Sequence, residues 1–373
     1  MPGPPTLTGR VRCNAGLHQY ESESFSVTDP QFSLDLDIPP PAASAPSKPK
    51  AKPRRSATAT ASSAAVAVIS APALSLEAMA QALARDPDYK VLRRLKPVLH
   101  FDRAPQGPTL RVLVLDTETT GLDQTKDKII ELAMLQVDVD SVTGLPVGDV
   151  LVYDELEDPG MPVSKEIEAI TGISSEMVRG KHLDEAKITA MLAGADLVIA
   201  HNAGFDRPFC EARLPAFAKL PWGCSFADID WKKEGLGSAK LEYLALEKGW
   251  FYEAHRAEVD CHALLAVLAE ALPTTGQSGL AKIIAASRQS SYRLQATGAP
   301  FEAKDLLKAR AYRWNAEQRV WYTKIADQSQ LTAEFEWLKL NVYGSRPARV
   351  QVEKLDAGVM YSSRAGEFSS QSI

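Results

Sequence analysis

Two carboxylates two residues apart, Asp116 and Glu118, stand at the end of an apolar run in RVLVLDTETTGLDQ, residues 111–124. Alternate residues of a strand share a face, and charge at a strand end is tolerated only where water, a partner or a metal receives it. Two further stretches combine acids with histidine: HNAGFD, residues 201–206, and HRAEVD, residues 255–260. The first follows the apolar run ADLVIA and puts Asp206 at the start of a helix. The second puts His255 in a loop and Asp260 in the opening turns of the next helix. In an open α/β sheet, ligands collect at the carboxyl ends of the strands. Carboxylates gathered there repel one another and rise in pKa unless cations neutralise them. Oxygen-only ligation favours Mg²⁺ or Mn²⁺ over zinc. Two such ions about 3.5 to 4 Å apart hold the attacking and the departing oxygen of a phosphodiester. The chemistry permitted is phosphoryl transfer to water. Taken singly, each residue is open to a plainer role: Asp116 and Asp206 as loop acids or helix caps, Glu118 as a surface acid, Asp260 as a first-turn charge, His255 as an exposed or structural histidine.

These residues have to be positioned by a sheet and its helices. Strand signals run over Thr109–Leu115, Lys128–Asp140 and Val150–Tyr153, with SVTGLP turning between the second and third. Consecutive strands at the start point to a mixed sheet rather than a pure βαβ repeat. Helix and strand then alternate: a helix in SKEIEAITGI capped by Ser164, an amphipathic helix in HLDEAKITAMLAG, the strand ADLVIA, and a helix opened by FDRPFCEARL with Pro208 expected in its first turn. Two more helices follow in AKLEYLALEKG and AEVDCHALLAVLAEAL. Together they predict an α/β domain over residues 108–275. A helix in LAKIIAASRQ then leads to SYRLQATG, KDLLKARAYRWN, RVWYTKIA and LTAEFEWLKLNVY, read as strand, helix, strand, helix. That predicts a helical and small α+β region over 276–373. Upstream, residues 73–107 read as a helical lead-in. Residues 1–72 read as a mostly disordered tail and linker, because Pro39–Ser70 is rich in Pro, Ala and Ser. Its basic cluster PSKPKAKPRRS fits a solvated tether or a non-specific phosphate contact.

With 373 residues, the chain is long enough for one large domain or two moderate ones. A net charge of -5 gives no global attraction to nucleic acid, so such a partner must be held by a local basic patch or by metal ions. Cys13, Cys210, Cys224 and Cys261 lie far apart without a CxxC pair, which argues against a disulfide framework and offers no zinc site by spacing. The first residues lack the apolar core of a secretory signal, and Ala64–Leu74 is too short and interrupted to cross a bilayer. The expectation is a cytoplasmic protein without a membrane partner.

In their order, DTETTG, HNAGFD and HRAEVD resemble the three motifs of the DEDDh exonuclease family, which includes the proofreading epsilon subunit of bacterial DNA polymerase III. The resemblance covers residues 109–270. It implies an RNase H-like exonuclease fold with a mixed central sheet, and stepwise removal of nucleoside 5′-monophosphates from a 3′ end. It further implies that Asp116, Glu118, Asp206 and Asp260 hold two Mg²⁺ or Mn²⁺ ions and that His255 takes a proton from the attacking water. Thr117, Thr119 and Leu122 become substrate-facing positions beside the terminal nucleotide. His201 and Asn202 become positions near the substrate, with a structural hydrogen-bonding role equally open for each. ITGIS, residues 170–174, resembles the segment bordering the terminal base, or is a helix-ending glycine beside a packed isoleucine. The implied partner is a single-stranded or frayed DNA 3′ end, with replication or repair proteins as further partners. RNA stays open, since nothing in the sequence reports a 2′-hydroxyl gate. A non-catalytic nucleic-acid-binding or polymerase-associated subunit is the alternative from another class. Trp222 and Trp231 read as packing residues, with base stacking as the alternative. Tyr312, Trp314, Trp321 and Tyr322, interleaved with lysines and arginines, fit either a small core with snorkelling charges or a grip on a single strand.

Overall fold

A computed structural model describes residues 75–344 and 346–373. The N-terminal tail, its basic cluster and the run Ala64–Leu74 lie outside the described residues. The chain enters through α1 (Leu76–Ala84), capped by the Ser75 hydroxyl, which accepts from the Ala78 amide. Two short strands follow, β1 (Arg93–Arg94) and β2 (His100–Phe101), then three long ones, β3 (Thr109–Thr119), β4 (Ile129–Asp140) and β5 (Pro146–Leu156). Next come α2 (Lys165–Thr171), α3 (Ser175–Val178), α4 (Glu185–Ala193), β6 (Leu197–Ala200), α5 (Ala203–Arg213) and β7 (Trp222–Cys224). After them come α6 (Leu241–Glu247), β8 (Trp250–Phe251), α7 (Ala257–Ala269) and α8 (Gly279–Ser287). The C-terminal part holds β9 (Ser291–Ala296), α9 (Lys304–Ala309), β10 (Arg313–Asn315), β11 (Val320–Ile325), α10 (Gln328–Asn341), β12 (Arg349–Leu355) and β13 (Glu367–Ser372).

The larger sheet has the order β2-β5-β4-β3-β6-β7. Strands β3, β4 and β5 pair antiparallel, whereas β3, β6 and β7 run parallel, which makes the mixed sheet expected of an RNase H-like exonuclease fold. Strand β3 is buried on both faces, so it reads as a continuous apolar run rather than an alternating one. Val112 and Val114 pack with Leu264 and Leu268 of α7. Leu113 and Leu115 point the other way, into a cluster with Ile188 of α4 and Phe209 of α5. Each such side chain contributes about 1.5 to 3 kcal/mol when taken from water. A five-stranded C-terminal sheet is antiparallel throughout, in the order β10-β11-β9-β12-β13, and β1 pairs parallel with β8 in a third, two-stranded sheet.

Several elements differ from the sequence expectations. Strand β3 runs past Leu115 to Thr119, because Asp116, Thr117 and Glu118 keep pairing with Ala133, Leu132 and Glu131 of β4. Helix α5 begins at Ala203, so Pro208 lies inside it rather than in its first turn. The segment KDLLKARAYRWN is not one helix: Ala311 adopts φ 63°, and Arg313–Asn315 turn back as a strand. Trp222 and Trp231 are buried packing residues, 1% and 4% exposed. In ITGIS, Gly172 ends α2 in the left-handed conformation, Ile173 is fully buried and Ile170 is exposed. Cys210, Cys224 and Cys261 are buried free thiols. Among the described residues no helix is long and apolar enough to cross a membrane.

Candidate active site

The alternation of β3 decides which acids meet. Asp116 and Glu118 continue the face of Val112 and Val114, toward α7, and Asp260 in the opening turn of α7 comes to meet them. One carboxylate oxygen from each of Asp116, Glu118 and Asp260 lies within 4.8 Å of the others. Asp206 arrives from the opposite face on α5, where Thr117 points. The Thr117 hydroxyl and amide both donate to Asp206 Oδ1, at 2.8 and 3.2 Å. The structure thus gathers three of the four acids into one cluster and holds the fourth at the same strand by a separate pair of hydrogen bonds.

Asp260 also shapes the loop before it. Its Oδ2 accepts from the amides of His255 at 2.8 Å and Arg256 at 3.2 Å. His255 is held there with φ 66°, a left-handed conformation costly for a residue with a side chain, and the residue is exposed. The charges are closely confined. Burial first, and then the neighbouring acids, push Asp116 well above the usual carboxylate range and Glu118 to about 8. Burial drives Asp206 to about 7 and Asp260 to about 6. Oxygen donors with mutually raised pKa values are a set that divalent cations neutralise.

The remaining sequence-predicted positions are divided in what they touch. Thr119 is buried and donates to the Gly121 carbonyl at 2.6 Å. A Cβ on Gly121 would meet the Asp127 carboxylate at 2.5 Å, so a larger residue here would displace that side chain. Leu122 beyond it is 54% exposed. His201 is engaged within the protein: its Nδ1 lies 2.7 Å from Ser225 Oγ and its ring stands edge-on to Phe226. Burial lowers its pKa to about 4, so the ring is neutral. Asn202 takes φ 62° at the start of α5 and makes no side-chain cap.

Other residues of the site were not read from the sequence. Glu131 faces Glu118 across the β3–β4 ladder and is 1% exposed. Arg256 pairs with it at 2.6 Å, and the Ala257 amide at the start of α7 donates to it at 2.9 Å. This acid is therefore already neutralised by protein. Tyr252 has a buried hydroxyl with no hydrogen-bond partner among the described residues, and burial together with the Asp260 charge raises its pKa. Arg207, next to Asp206, is fully buried. Its guanidinium donates to the carbonyls of Ala357 at 3.0 Å, Met360 at 2.6 Å and Gly358 at 2.6 Å, and pairs with Glu211 at 2.7 Å. It fastens the loop between β12 and β13 onto the helix that carries Asp206. The local signal is the i,i+4 spacing of Arg207 and Glu211 on one helix, whereas the carbonyl partners lie 150 residues or more downstream.

A family model described as exonuclease (RNase T) matches residues 113–268. A PolC-type DNA polymerase III of Thermotoga petrophila is 30% identical over 132 residues, 35% of this chain and 9% of that protein. The PolC-type polymerase of Listeria monocytogenes is 36% identical over 118 residues, 30% of this chain and 8% of that protein. The chain thus spans under a tenth of the length of these curated relatives. Among solved structures, exonuclease X in complex with 5′ overhanging duplex DNA is 26% identical, covering 46% of this chain and 98% of that one, with a TM-score of 0.36. Asp116, Glu118, Asp206, His255 and Asp260 all fall within the matched residues, and the chain carries a DEDDh-type exonuclease domain over residues 113–268.

Proposed function

We propose that the chain is a metal-dependent 3′–5′ exonuclease that hydrolyses phosphodiester bonds at the 3′ end of DNA and releases nucleoside 5′-monophosphates. The observation that carries this reading is the convergence of Asp116, Glu118 and Asp260 within 4.8 Å, with carboxyl pKa values raised by burial and by one another. Such a donor set fits Mg²⁺ or Mn²⁺. Asp116, Glu118, Asp206 and Asp260 are the residues that would hold the ions. When bound, two divalent cations neutralise the acids, lower the pKa of a water and stabilise both oxygens of the displacement. His255, exposed in the loop whose amides Asp260 holds, takes the proton from the attacking water, a role suited to imidazole near neutral pH. Thr117 fixes the carboxylate of Asp206, and Glu118 at the strand end receives the terminal 3′ hydroxyl. The polymerase relatives support DNA ahead of RNA.

The test uses wild type and Asp116→Ala with 5′-labelled DNA and RNA strands, each with a free or a blocked 3′ end, in Mg²⁺ or Mn²⁺. The reading expects a ladder from free 3′ ends of DNA that Asp116→Ala abolishes. A ladder from RNA alone would replace the substrate, and equal ladders in wild type and a folded Asp116→Ala protein would reject the site.

A further inference from the structure

The small C-terminal sheet has its helices on one side only. Leu307 of α9 and Leu331 and Leu338 of α10 join Leu294, Val350 and Val352 in one cluster. The alternation of strand residues sends their neighbours to the opposite face. There Phe368, Glu353, Arg293 and Lys324 form one cross-strand row, and Tyr322 with Arg313 lies in the next. Glu353 is buried and neutralised by Arg293 at 2.7 Å. Arg313 and Lys324 are exposed and have no acidic partner among the described residues, and Phe368 is 52% exposed. Ser291, Gln295, Val320 and Leu355 on this face are buried, so what it exposes is Arg313 and Lys324 beside half-buried Tyr322 toward one edge and Phe368 beyond Glu353 toward the other, on a chain whose net charge is -5.

This face also leads to the carboxylates. Lys324 Nζ lies 5.3 Å above the Tyr361 ring, and the Tyr361 hydroxyl donates to Asp228 just past the end of β7. Because β7, β6 and β3 run parallel, that end belongs to the same sheet edge as Asp116 and Glu118. The carbonyl clamp of Arg207 fixes the two sheets to each other beside Asp206.

We propose that the open face of the C-terminal sheet is a binding platform for single-stranded nucleic acid, which leads the strand's 3′ end to the carboxylates; this rests on the exonuclease reading above. Cations follow the phosphates, and ring faces accept stacked bases without regard to sequence. Acidic protein surfaces would be drawn to the same charges, but only a nucleic-acid strand presents a flat base at every unit for Tyr322 and Phe368 to stack on.

The test is fluorescence anisotropy of labelled dT and rU strands of roughly 20 nucleotides, with the full chain in EDTA so that the probe survives. Arg313→Glu and, separately, Phe368→Ala are compared with wild type, and Leu340→Ala on the exposed side of α10 serves as control. The platform predicts roughly tenfold weaker binding for each of the first two variants and a shallower salt dependence for Arg313→Glu. Leu340→Ala is expected to bind as wild type does. Weakening on dT, on rU or on both supports the proposal and assigns the sugar; wild-type affinity in both platform variants overturns it. Hydrolysis of the p-nitrophenyl ester of thymidine 5′-monophosphate, too short to reach the platform, is expected to be unchanged in both. If wild type hydrolyses no substrate while Arg313→Glu still weakens binding, the platform stands and the exonuclease reading fails.

Discussion

The amide and hydroxyl of Thr117 both donate to Oδ1 of Asp206, 89 residues away in sequence, so strand β3 itself fixes the acid that α5 delivers. Successive residues of one strand therefore serve the site from opposite faces, with Asp116 and Glu118 toward α7 and Thr117 toward α5.

Thr117→Val keeps the shape of the side chain and removes one donor to a buried carboxylate. Hydrogen bonds to charged groups contribute about 1.5 to 3 kcal/mol. We expect kcat to fall by roughly tenfold or more, and the unfolding free energy to drop by no more than that one hydrogen bond. A kcat equal to wild type in steady-state assays would show that Thr117 does not position Asp206.

His255→Ala removes the proposed proton acceptor while leaving the carboxylates in place. A positioned base is worth roughly 100-fold to 10,000-fold in rate, and that loss is expected with Mn²⁺ binding retained in calorimetry. Loss of Mn²⁺ binding would instead make His255 part of the ion site.

The raised acids give the chelated protein a characteristic pH dependence. A carboxyl whose folded pKa exceeds its unfolded value binds its proton more tightly when folded. It therefore supports the folded state at low pH, and that support is lost as pH rises through the folded value. Glu118, Asp206 and Asp260, at about 8, 7 and 6, place this loss between about pH 4 and pH 8. Asp140 and Asp184, held low mainly by backbone amides, act at lower pH. Urea unfolding in EDTA is expected to show stability falling across that window, less steeply in Glu118→Gln, and Mn²⁺ is expected to restore it near pH 8. Stability that rises from pH 5 to 8 in EDTA, with no response to Mn²⁺, would contradict this.

Arg207→Met leaves the carbonyls of Ala357, Gly358 and Met360 without their shared donor and takes one partner from Glu211. Breaking a buried charged network of this kind costs about 3 to 5 kcal/mol. Arg207→Lys is not expected to rescue it, because a single ammonium cannot span the carbonyls and the carboxylate that the guanidinium fork reaches together. Urea midpoints of both variants test this, and wild-type stability in Arg207→Lys would show that charge alone suffices.

What the sequence disclosed was local. Asp116 and Glu118 share a face because a strand has period two, and Asp260 falls in a helix's opening turn because HRAEVD precedes an apolar helical pattern. Glu131 and Arg256 were not legible, since they meet only after two elements 125 residues apart pack together. Strand β13 carries no pattern to read, for EFSSQS is exposed throughout on the sheet edge. Strand β12 was legible in principle, because Val350 and Val352 alternate with polar residues. Strand β7, three residues long, is set by its register on β6 rather than by its own sequence. The carbonyls that Arg207 clamps are backbone atoms, which any sequence supplies, so they leave no signature; only its pair with Glu211 is local.

The most direct measurement is anomalous diffraction from crystals soaked in Mn²⁺ and a nucleoside 5′-monophosphate. The account predicts two manganese peaks among Asp116, Glu118, Asp206 and Asp260, and their loss in Asp116→Asn. Well-ordered product with no manganese at these carboxylates would contradict it.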